Sequence, residues 1–510
     1  LMRFAAVRRW ARTARRGFSC MGEERGVKRR VDVQIDVTEK EREIFDIVKA
    51  AIKHHNLKTT VRVAGGWVRD KVLGRESDDI DLALDDTTGE EFAGKIVEYL
   101  SLSGQSGKVS GVGVVQTNPD QSKHLATACM KLCGCDIDLV NLRAEDYAET
   151  SRIPTVRVGT PLEDAQRRDF SFNALFYNIH DEKVEDFLET GLDDLMNSYL
   201  RTPVDCTVTF QDDPLRVCRA VRFAARFNCK VDPAILAAAR SEPVQTMLAT
   251  KISRERVGTE FDKMISTHTR IRAFELIQET MLYGPMILQS IPPIVEGSLP
   301  DPNAACAEGV RIARDVVGAG LVPEVEVLTS PEPPRDNRLL RRASLAAFLM
   351  PLRGLTYLEK KKPRNAVWGA VRSSLMLKNA DADAVDRIVT AVPAIGRAVE
   401  LDGEARLQAT GEALVDLREE WVSVAAIVHA LAAPEAQPRV VEFVQWVKTT
   451  PLVGCWDWRP LLDGNALMKL GVPRGPALSK ARKAEMTWRF ANPGAGEAEC
   501  TEFMKTQTFA

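Results

Sequence analysis

The sequence predicts an α/β domain near the N-terminus, followed by an all-α neck, body and tail. Val61 to Ala64 and the run from Ile80 read as short apolar strands, separated by two glycines and a short helix. Asn118 to Arg143 contains a further strand with alternating polar and apolar residues. From Leu339 onward, Ala- and Leu-rich segments predict packed helices. The early alternation of strands and helices predicts a sheet covered by helices.

The chain of 510 residues is long enough for three or four structural units. Prolines are frequent between residues 292 and 334, where we expect loops around short helices. The predicted segments are a basic arm (1–30), the α/β head (31–205), a helical neck (206–275), a helical body with a Pro-rich insertion (276–400) and a helical tail (401–510).

Composition limits the possible partners. The formal net charge of -2 and the pI near 6.4 exclude a protein that is basic over its whole surface. Any contact with nucleic acid must therefore come from local basic patches. The ten cysteines lack the paired spacing of secreted proteins, which predicts reduced thiols. Since no apolar run reaches about 18 residues, we expect no membrane span.

The first 20 residues carry six arginines and no acidic residue. Such a composition is typical of a mitochondrial transit peptide, and the alternative is a basic arm that touches RNA. Met21 offers a second start that would omit this segment and allow a cytosolic or nuclear form. Further on, Thr38 and Glu41 form a capping-box pattern that predicts a helix with a buried apolar face.

The stretch from Val61 to Asp86 carries the first candidate site. Alternation along the second strand places Asp79 and Asp81 on one face, and two carboxylates on one face suit Mg²⁺. Gly65 and Gly66 let backbone amides approach an anion at a helix N-terminus. A lone pair of aspartates on a surface strand is common and usually binds no metal. The glycine pair beside it makes a triphosphate seat next to a metal seat the more specific interpretation.

Asp136 and Asp138 lie on one face of a later strand and are both candidates for a third carboxylate. The alternative is that either residue simply ends the strand in solvent. Gly104 to Gly113 is glycine-rich and aperiodic, which predicts a mobile loop. Such a loop is usually only a connector.

Two further segments carry candidate polar residues, and the first of them, Gln166 to Asn178, is too polar for a purely structural helix. In Gln166 to Asn178, an arginine can neutralise triphosphate oxygens, while an aspartate or asparagine can accept a sugar hydroxyl. Asp213 and Arg216 are three residues apart at a predicted helix start and therefore face the same side. Taken alone, that pair reads more readily as a salt bridge within the helix.

These motifs together resemble a known family. GGWVRD followed by DDIDLAL is similar to the signature of polymerase-beta type nucleotidyltransferases, and more narrowly of class II CCA-adding tRNA nucleotidyltransferases and bacterial poly(A) polymerases. RRDFSFNALFYN, DDPLRVCRAVRF and ISRER resemble the later motifs of that family. NPDQSKHL and DLVNLR, together with the C-terminal segment, resemble the fungal and plant members.

The resemblance implies a role for each matching residue. It implies two Mg²⁺ ions on Asp79 and Asp81, roughly 3.5 to 4 Å apart, and it favours Asp138 as the third carboxylate. It also implies a nucleotide-preference role for the 104–113 loop. The remaining implied roles are triphosphate and ribose binding by Gly65, Gly66, Arg69, Arg168, Asp169 and Asn173, base selection by Asp213 and Arg216, and support by Arg219, Arg254 and Arg256.

The resemblance implies template-independent addition of C, C and A to the tRNA 3′ end from CTP and ATP. The alternatives are a poly(A) polymerase or CC-only enzyme on the same head, and a non-catalytic RNA-binding protein. Basic residues that would contact RNA phosphates lie in two places, a KKKPR run and a loop between two C-terminal helices that resembles a helix-hairpin-helix grip. They are Lys360, Lys361, Lys362, Arg364, Arg474 and Lys480. The sequence does not predict the oligomeric state.

Overall fold

The computed structural model describes residues 30–31, 33–77, 79–115, 127–146, 155–322 and 338–509. The predicted transit peptide, Asp78, the NPDQSKHL motif and most of the Pro-rich insertion lie outside these residues. The chain divides into two compact units, Leu1–Met247 and Leu248–Ala510. This division falls inside the segment predicted as the neck.

The first unit contains one large mixed sheet and short helices. Its strands have the spatial order β1-β10-β9-β2-β3-β6-β5-β4. The strands are β1 (Arg30–Val31), β2 (Val61–Ala64), β3 (Ile80–Leu84), β4 (Val109–Val115), β5 (Thr127–Leu132), β6 (Cys135–Asn141), β7 (Arg143–Asp146), β8 (Thr155–Val158), β9 (Phe176–Asn178), β10 (Lys183–Glu185), β11 (Tyr199–Leu200) and β12 (Lys230–Val231). The pairs β7 with β8 and β11 with β12 form separate two-stranded sheets.

The helices of this unit cover the sheet and continue beyond it. They are α1 (Glu39–His54), α2 (Gly66–Val72), α3 (Gly89–Leu102), α4 (Pro161–Gln166), α5 (Gly191–Met196), α6 (Cys206–Asp212), α7 (Leu215–Phe227) and α8 (Pro233–Arg240). The predicted capping box is confirmed, because Thr38 and Glu41 bond reciprocally at the start of α1. The apolar face of α1 is buried, and α3 packs on β5 and β6.

The prediction of a mobile loop from Gly104 to Gly113 is wrong. Val109–Val115 forms the edge strand β4, which pairs antiparallel with β5. Gly111 lies at a register shift between Ser110 and Val112 and has φ +76°, which favours glycine. The glycines therefore allow a bulge inside a strand whose valines supply β propensity. The glycine content alone favours a loop, which is why the strand was not predicted.

The helix α9 (Glu242–Lys251) contains the boundary between the units, and the second unit is mainly helical. Its core includes stacked rings of Phe274 and Phe348, with centroids 4.1 Å apart. In the described part of the chain, no helix is long and apolar enough to cross a membrane. The helices are α10 (Arg254–Ile265), α11 (Arg270–Glu279), α12 (Pro302–Gly318), α13 (Arg338–Phe348), α14 (Ala366–Gly369), α15 (Asn379–Glu400), α16 (Gly403–Leu417), α17 (Trp421–Leu431), α18 (Gln437–Thr449), α19 (Gly464–Lys469), α20 (Pro476–Ala491) and α21 (Glu497–Lys505).

The second unit also contains a small antiparallel sheet that the sequence did not predict. It is formed by β13 (Ile294–Glu296), β14 (Thr356–Glu359) and β15 (Lys362–Asn365). Lys360 and Lys361 form the two-residue turn between β14 and β15, both with positive φ. This is the geometry of a tight hairpin, and it exposes the basic run at its tip.

Candidate active site

The glycine turn at the start of α2, formed by Gly65 and Gly66, lies against the guanidinium group of Arg168. Gly65 has φ 69°, and a Cβ atom there would lie 2.7 Å from Nη1 of Arg168. No larger residue fits without moving that guanidinium. The turn therefore brings a cationic side chain to the N-terminal end of α2, where backbone N–H groups and the helix dipole favour an anion.

Three aspartates lie on or directly before two neighbouring strands. The strand predicted to carry Asp79 begins one residue later, at Ile80. Asp81 of β3 is the direct partner of Asp138 of β6 in a parallel register, and Asp79 immediately precedes β3. All three residues are exposed. Although Asp81 is exposed as a residue, neighbouring atoms surround its carboxyl group, and this desolvation raises the pKa of Asp81. The negative charges of Asp138 and Asp79 raise the pKa further, while the positive charge of Arg168 lowers it. The folded state thus concentrates negative charge on one face of the sheet.

The two candidates for the third carboxylate lie in different surroundings. Asp138 is beside Asp81, whereas Asp136 is exposed and forms an ion pair of 3.2 Å with Lys131. Cys129 of β5 is the cross-strand partner of Asp138, and a hydrogen bond to that carboxylate, with burial, raises the pKa of the Cys129 thiol to about 11. The contact between Cys129 and Asp138 could not be predicted from the sequence, because it depends on the register between β5 and β6.

The carboxylate set suits a hard divalent cation. In the described residues, no three His, Cys, Asp or Glu side chains converge as a complete metal-binding group. Mg²⁺ is usually held by one or two carboxylates and completes its coordination with water and substrate phosphates. Such a cation would offset both causes of the raised pKa of Asp81, the burial of its carboxyl group and the repulsion from Asp138. The residues present therefore fit a magnesium site shared with a nucleotide.

A buried carboxylate that sequence reasoning missed organises the arginines of the second motif. Asp164, only 1% exposed, accepts from Arg168 Nε and Nη2 at 2.9 and 2.8 Å and from Arg167 Nη2 at 2.5 Å. Burial opposes ionisation of Asp164, but the charges of Arg168 and Arg167 lower its pKa overall. The helical spacing i, i+3, i+4 of these residues was the signal that could have identified the cluster.

Asp169 and Asn173 lie in a connected polar network. Asp169 Oδ1 accepts from Asn173 Nδ2 at 3.0 Å, and Oδ2 accepts from Arg219 Nε at 2.8 Å. Arg69, predicted to bind the triphosphate or ribose, donates from Nη1 to Asn173 Oδ1 at 2.6 Å. The network joins α2, the short 3₁₀ turn at Ser171–Asn173 and α7.

The two residues predicted to select the base lie at the start of α7. Asp213 Oδ1 accepts from the backbone N of Leu215 at 3.2 Å. Arg216 Nη2 donates to the backbone O of Arg167 at 2.6 Å. Arg216 is thereby fixed beside the second motif, close enough to Asp169 to help lower the pKa of that buried carboxyl.

The other predicted residues lie in the second unit. Arg254 begins α10 and donates to the backbone oxygens of Ser374, Pro285 and Met286, while Arg256 is one half-turn further along the helix. The predicted cap of α10, Ser253, is confirmed by its bond from the N of Arg256. Arg474 and Lys480 are exposed on the loop before α20 and on α20 itself.

The mixed sheet, the glycine turn and the paired aspartates define a nucleotidyltransferase. Residues 61–201 match the model of the family described as the poly A polymerase head domain. The chain is 33% identical to a mitochondrial CCA tRNA nucleotidyltransferase of Candida glabrata, over 93% of this chain and 96% of the relative. It is 34% identical to the protein of the same name from Saccharomyces cerevisiae, over 89% of each. The chain belongs to the CCA tRNA nucleotidyltransferase family.

A solved structure agrees on the fold. A Thermotoga maritima CCA-adding enzyme complexed with tRNA superposes with a TM-score of 0.61 at 18% identity, covering 92% of this chain and 96% of that chain. The predicted fold class, a nucleotidyltransferase head followed by a mainly helical remainder, is thus confirmed.

Proposed function

We propose that this protein adds C, C and A to the 3′ end of tRNA from CTP and ATP, with release of pyrophosphate. The observation that carries the proposal is the similarity of nearly the whole chain to relatives named CCA tRNA nucleotidyltransferase. The aspartates and the glycine turn of the first unit supply the chemistry of nucleotidyl transfer.

Asp79 and Asp81 would hold two Mg²⁺ ions, with Asp138 as third ligand or base. When bound, such ions stabilise charge on the attacking and leaving oxygens of an in-line displacement. The chain itself holds Asp81 and Asp138 on adjacent, hydrogen-bonded strands, so that these two carboxylates are in place before substrate arrives. Asp138 is restrained further by its hydrogen bond with Cys129.

The nucleotide would lie with its triphosphate over Gly65 and Gly66. Arg168, held by Asp164 at the glycine turn, neutralises phosphate charge there. Asp169 and Asn173 form the sugar side of the site, and their network fixes them before the nucleotide binds. Leaving buried polar groups unpaired is costly, so that a sugar without the expected hydroxyl would bind less well.

Asp213 and Arg216 would select the base. Cytosine and adenine each present an amino donor beside a ring-nitrogen acceptor, which a carboxylate and a guanidinium complement. Guanine and uracil present a carbonyl oxygen and a ring N–H instead, so that like groups would oppose each other. Each good bidentate contact discriminates by about 1 to 3 kcal/mol. Selection of C and A would thus need no nucleic-acid template.

The second unit would bind the body of the tRNA through its basic residues. Lys360, Lys361 and Lys362 are exposed at the hairpin tip, and Arg364 stacks over Trp368 with its guanidinium 4.5 Å from the ring centre. Gly471 and Gly475, both with positive φ, shape the loop that carries Arg474. In segment terms, 31–205 would be the catalytic head, 206–275 the neck, 276–400 the body and 401–510 the tail.

The protein would act in mitochondria, since the Candida and Saccharomyces relatives are named mitochondrial. A product begun at Met21 would add a cytosolic or nuclear form. Fluorescent fusions beginning at Met2 and at Met21 test this. Wholly mitochondrial location of the Met21 fusion would contradict the second form.

The function is tested with purified protein, tRNA that lacks its 3′ end, Mg²⁺, and CTP and ATP offered separately and together. We expect two C residues with CTP alone and CCA followed by arrest with both, determined by sequencing the termini. Long A tracts would indicate a poly(A) polymerase, and addition that ends at CC would indicate a CC-only enzyme. Absence of any incorporation would indicate a binding protein. Incorporation by Asp79→Ala would contradict the metal site.

A further inference from the structure

Arg69 is placed unusually for a residue expected to meet a charged ligand. It is 5% exposed, and Nε and Nη2 donate to the two carboxylate oxygens of Asp70 at 2.9 and 2.8 Å. Neighbouring residues of a helix do not normally face each other. The pair forms because the guanidinium lies against Phe223 and Phe227 of α7, 5.2 and 4.9 Å from their ring centres. Packing between α2 and α7 therefore fixes Arg69.

The third contact of this guanidinium is with Asn173. Arg69 can only donate hydrogen bonds and ionised Asp169 can only accept them. The Asn173 amide between them therefore has one orientation, with Oδ1 toward Arg69 at 2.6 Å and Nδ2 toward Asp169 at 3.0 Å. Arg69 and Asp169 each favour this orientation, so that loss of Arg69 leaves the Asn173 amide with one of these two hydrogen bonds.

Both carboxylate oxygens of Asp169 accept further hydrogen bonds. Its Oδ1 accepts from the N of Phe170 at 2.9 Å in addition to Asn173, and its Oδ2 accepts from Arg219 Nε and Nη2 at 2.8 and 2.6 Å. The side chain of Arg219 remains 34% exposed. A continuous chain of contacts thus runs from Asp70 on α2 to a partly exposed arginine on α7.

We infer that Arg69, held by Asp70 and the two phenylalanine rings, is a positioning residue that sets the Asn173 amide and, through Asp169, Arg219. It acts on the sugar side of the nucleotide site without contacting the triphosphate itself. The inference rests on the proposed function, since it concerns how that nucleotide site distinguishes ribose from deoxyribose.

The test compares two buried carboxylates, Asp70 on α2 and Glu41 on α1. Asp70→Asn removes the charge that holds Arg69. Glu41→Gln is the control, because Glu41 also anchors α2, through Trp67 Nε1 at 2.7 Å and Lys71 Nζ at 2.8 Å. Its other hydrogen bonds are with Thr38 of its own capping box and lie outside the Arg69 network. Thermal unfolding, KM and kcat for CTP addition, and titration calorimetry with CTP and dCTP in Mg²⁺ are measured for each.

We expect Asp70→Asn to raise KM and the Kd for CTP about tenfold, a loss of about 1.4 kcal/mol, with a smaller change for dCTP and in kcat. Glu41→Gln should lower the Tm and leave the CTP to dCTP ratio at the wild-type value. Equal changes of that ratio in both variants, or none in Asp70→Asn, would overturn the inference. If Asp70→Asn fails to fold, Arg69→Lys replaces it with the same expectation.

A double variant tests whether the effect passes through Asn173. Combined with Asn173→Ala, Asp70→Asn should add nothing to the loss of CTP affinity caused by Asn173→Ala alone. Additive losses would contradict the positioning role. The inference and the proposed function fail separately: a wild-type protein that adds no nucleotide contradicts the function, whereas an active wild type with independent variants contradicts only the role of Arg69.

Discussion

Both units contain buried carboxylates that form ion pairs with arginines, but the exposure of those arginines differs. In the first unit, buried carboxylates hold arginines that still reach the surface, as Asp164 holds Arg168 and Asp169 holds Arg219, with 20% and 34% of those side chains exposed. In the second unit, Arg342 binds Asp381 and Glu420 in a cluster whose members are only 9 to 12% exposed. The first arrangement leaves part of each guanidinium side chain accessible to solvent. The second joins α13, α15 and the turn before α17.

The largest expected effect comes from the proposed metal carboxylates of the first unit. Asp81→Asn should reduce nucleotide addition at least about a thousandfold, because a metal ligand contributes several kcal/mol to the transition state. The same change should raise the Tm near neutral pH. The pKa of Asp81 is raised in the folded state, so that its ionised form opposes folding and removing the charge relieves that cost. Single-turnover kinetics and thermal unfolding measure the two effects.

Asp136→Asn is the matched control for this variant. Asp136 lies on β6 two residues before Asp138, but its carboxylate is 81% exposed and faces Lys131. We expect nearly wild-type activity and Tm. A loss of activity equal to that of Asp81→Asn would mean that the third carboxylate is Asp136 and not Asp138.

The next largest effect concerns stability. Asp164→Asn should lower the free energy of unfolding by about 3 to 5 kcal/mol, because it leaves two arginines without their buried partner. The folded pKa of Asp164 is lowered, so that its contribution is present above the unfolded value of about 4 and is lost as the pH falls through the folded value. The difference from wild type in urea unfolding should therefore shrink below about pH 4. A constant difference down to strongly acidic pH would contradict this assignment.

The counterpart in the second unit should affect stability alone. Arg342→Ala should cost about 3 kcal/mol of unfolding free energy, because Asp381 and Glu420 remain buried with fewer partners. Arg338→Ala is the control on the same helix: its ion pair with Glu419 is exposed and should be worth less than about 1 kcal/mol. KM for CTP, measured well below the Tm, should be unchanged in both variants. A raised KM in Arg342→Ala would remove the distinction between the two units.

The features that could be predicted from the sequence are those that depend on residues close together in the chain. The capping box at Thr38 and Glu41, the exposure of Asp81 between buried Ile80 and Leu82, and the cap of α10 depend on residues a few positions apart, and they were predictable. Asp164 could have been identified, because its partners lie three and four residues away. The hairpin at Lys360 and Lys361 also has a local origin, but lysine is not a typical residue at positive φ.

Other features depend on contacts distant in sequence. The bond between Arg69 and Asp70 contradicts the ordinary spacing rule and requires Phe223 and Phe227, more than 150 residues later. Cys129 meets Asp138 only because of the register between β5 and β6. The local contacts within a motif were therefore predictable, whereas the contacts between residues distant in sequence were not.

The smallest expected effect lies at the hairpin tip of the second unit. Replacing Lys360, Lys361 and Lys362 together by Gln should weaken tRNA binding mainly at low salt. It should also reduce the slope of log Kd against log salt by up to about two or three, since each phosphate contact releases counterions. Gln removes the charge and keeps a polar side chain at the turn, and the KM for CTP should not change. Arg474→Gln with Lys480→Gln tests the tail in the same assay. If neither set alters the salt slope, tRNA phosphates are bound elsewhere, and the exposed charges of the second unit serve only solubility.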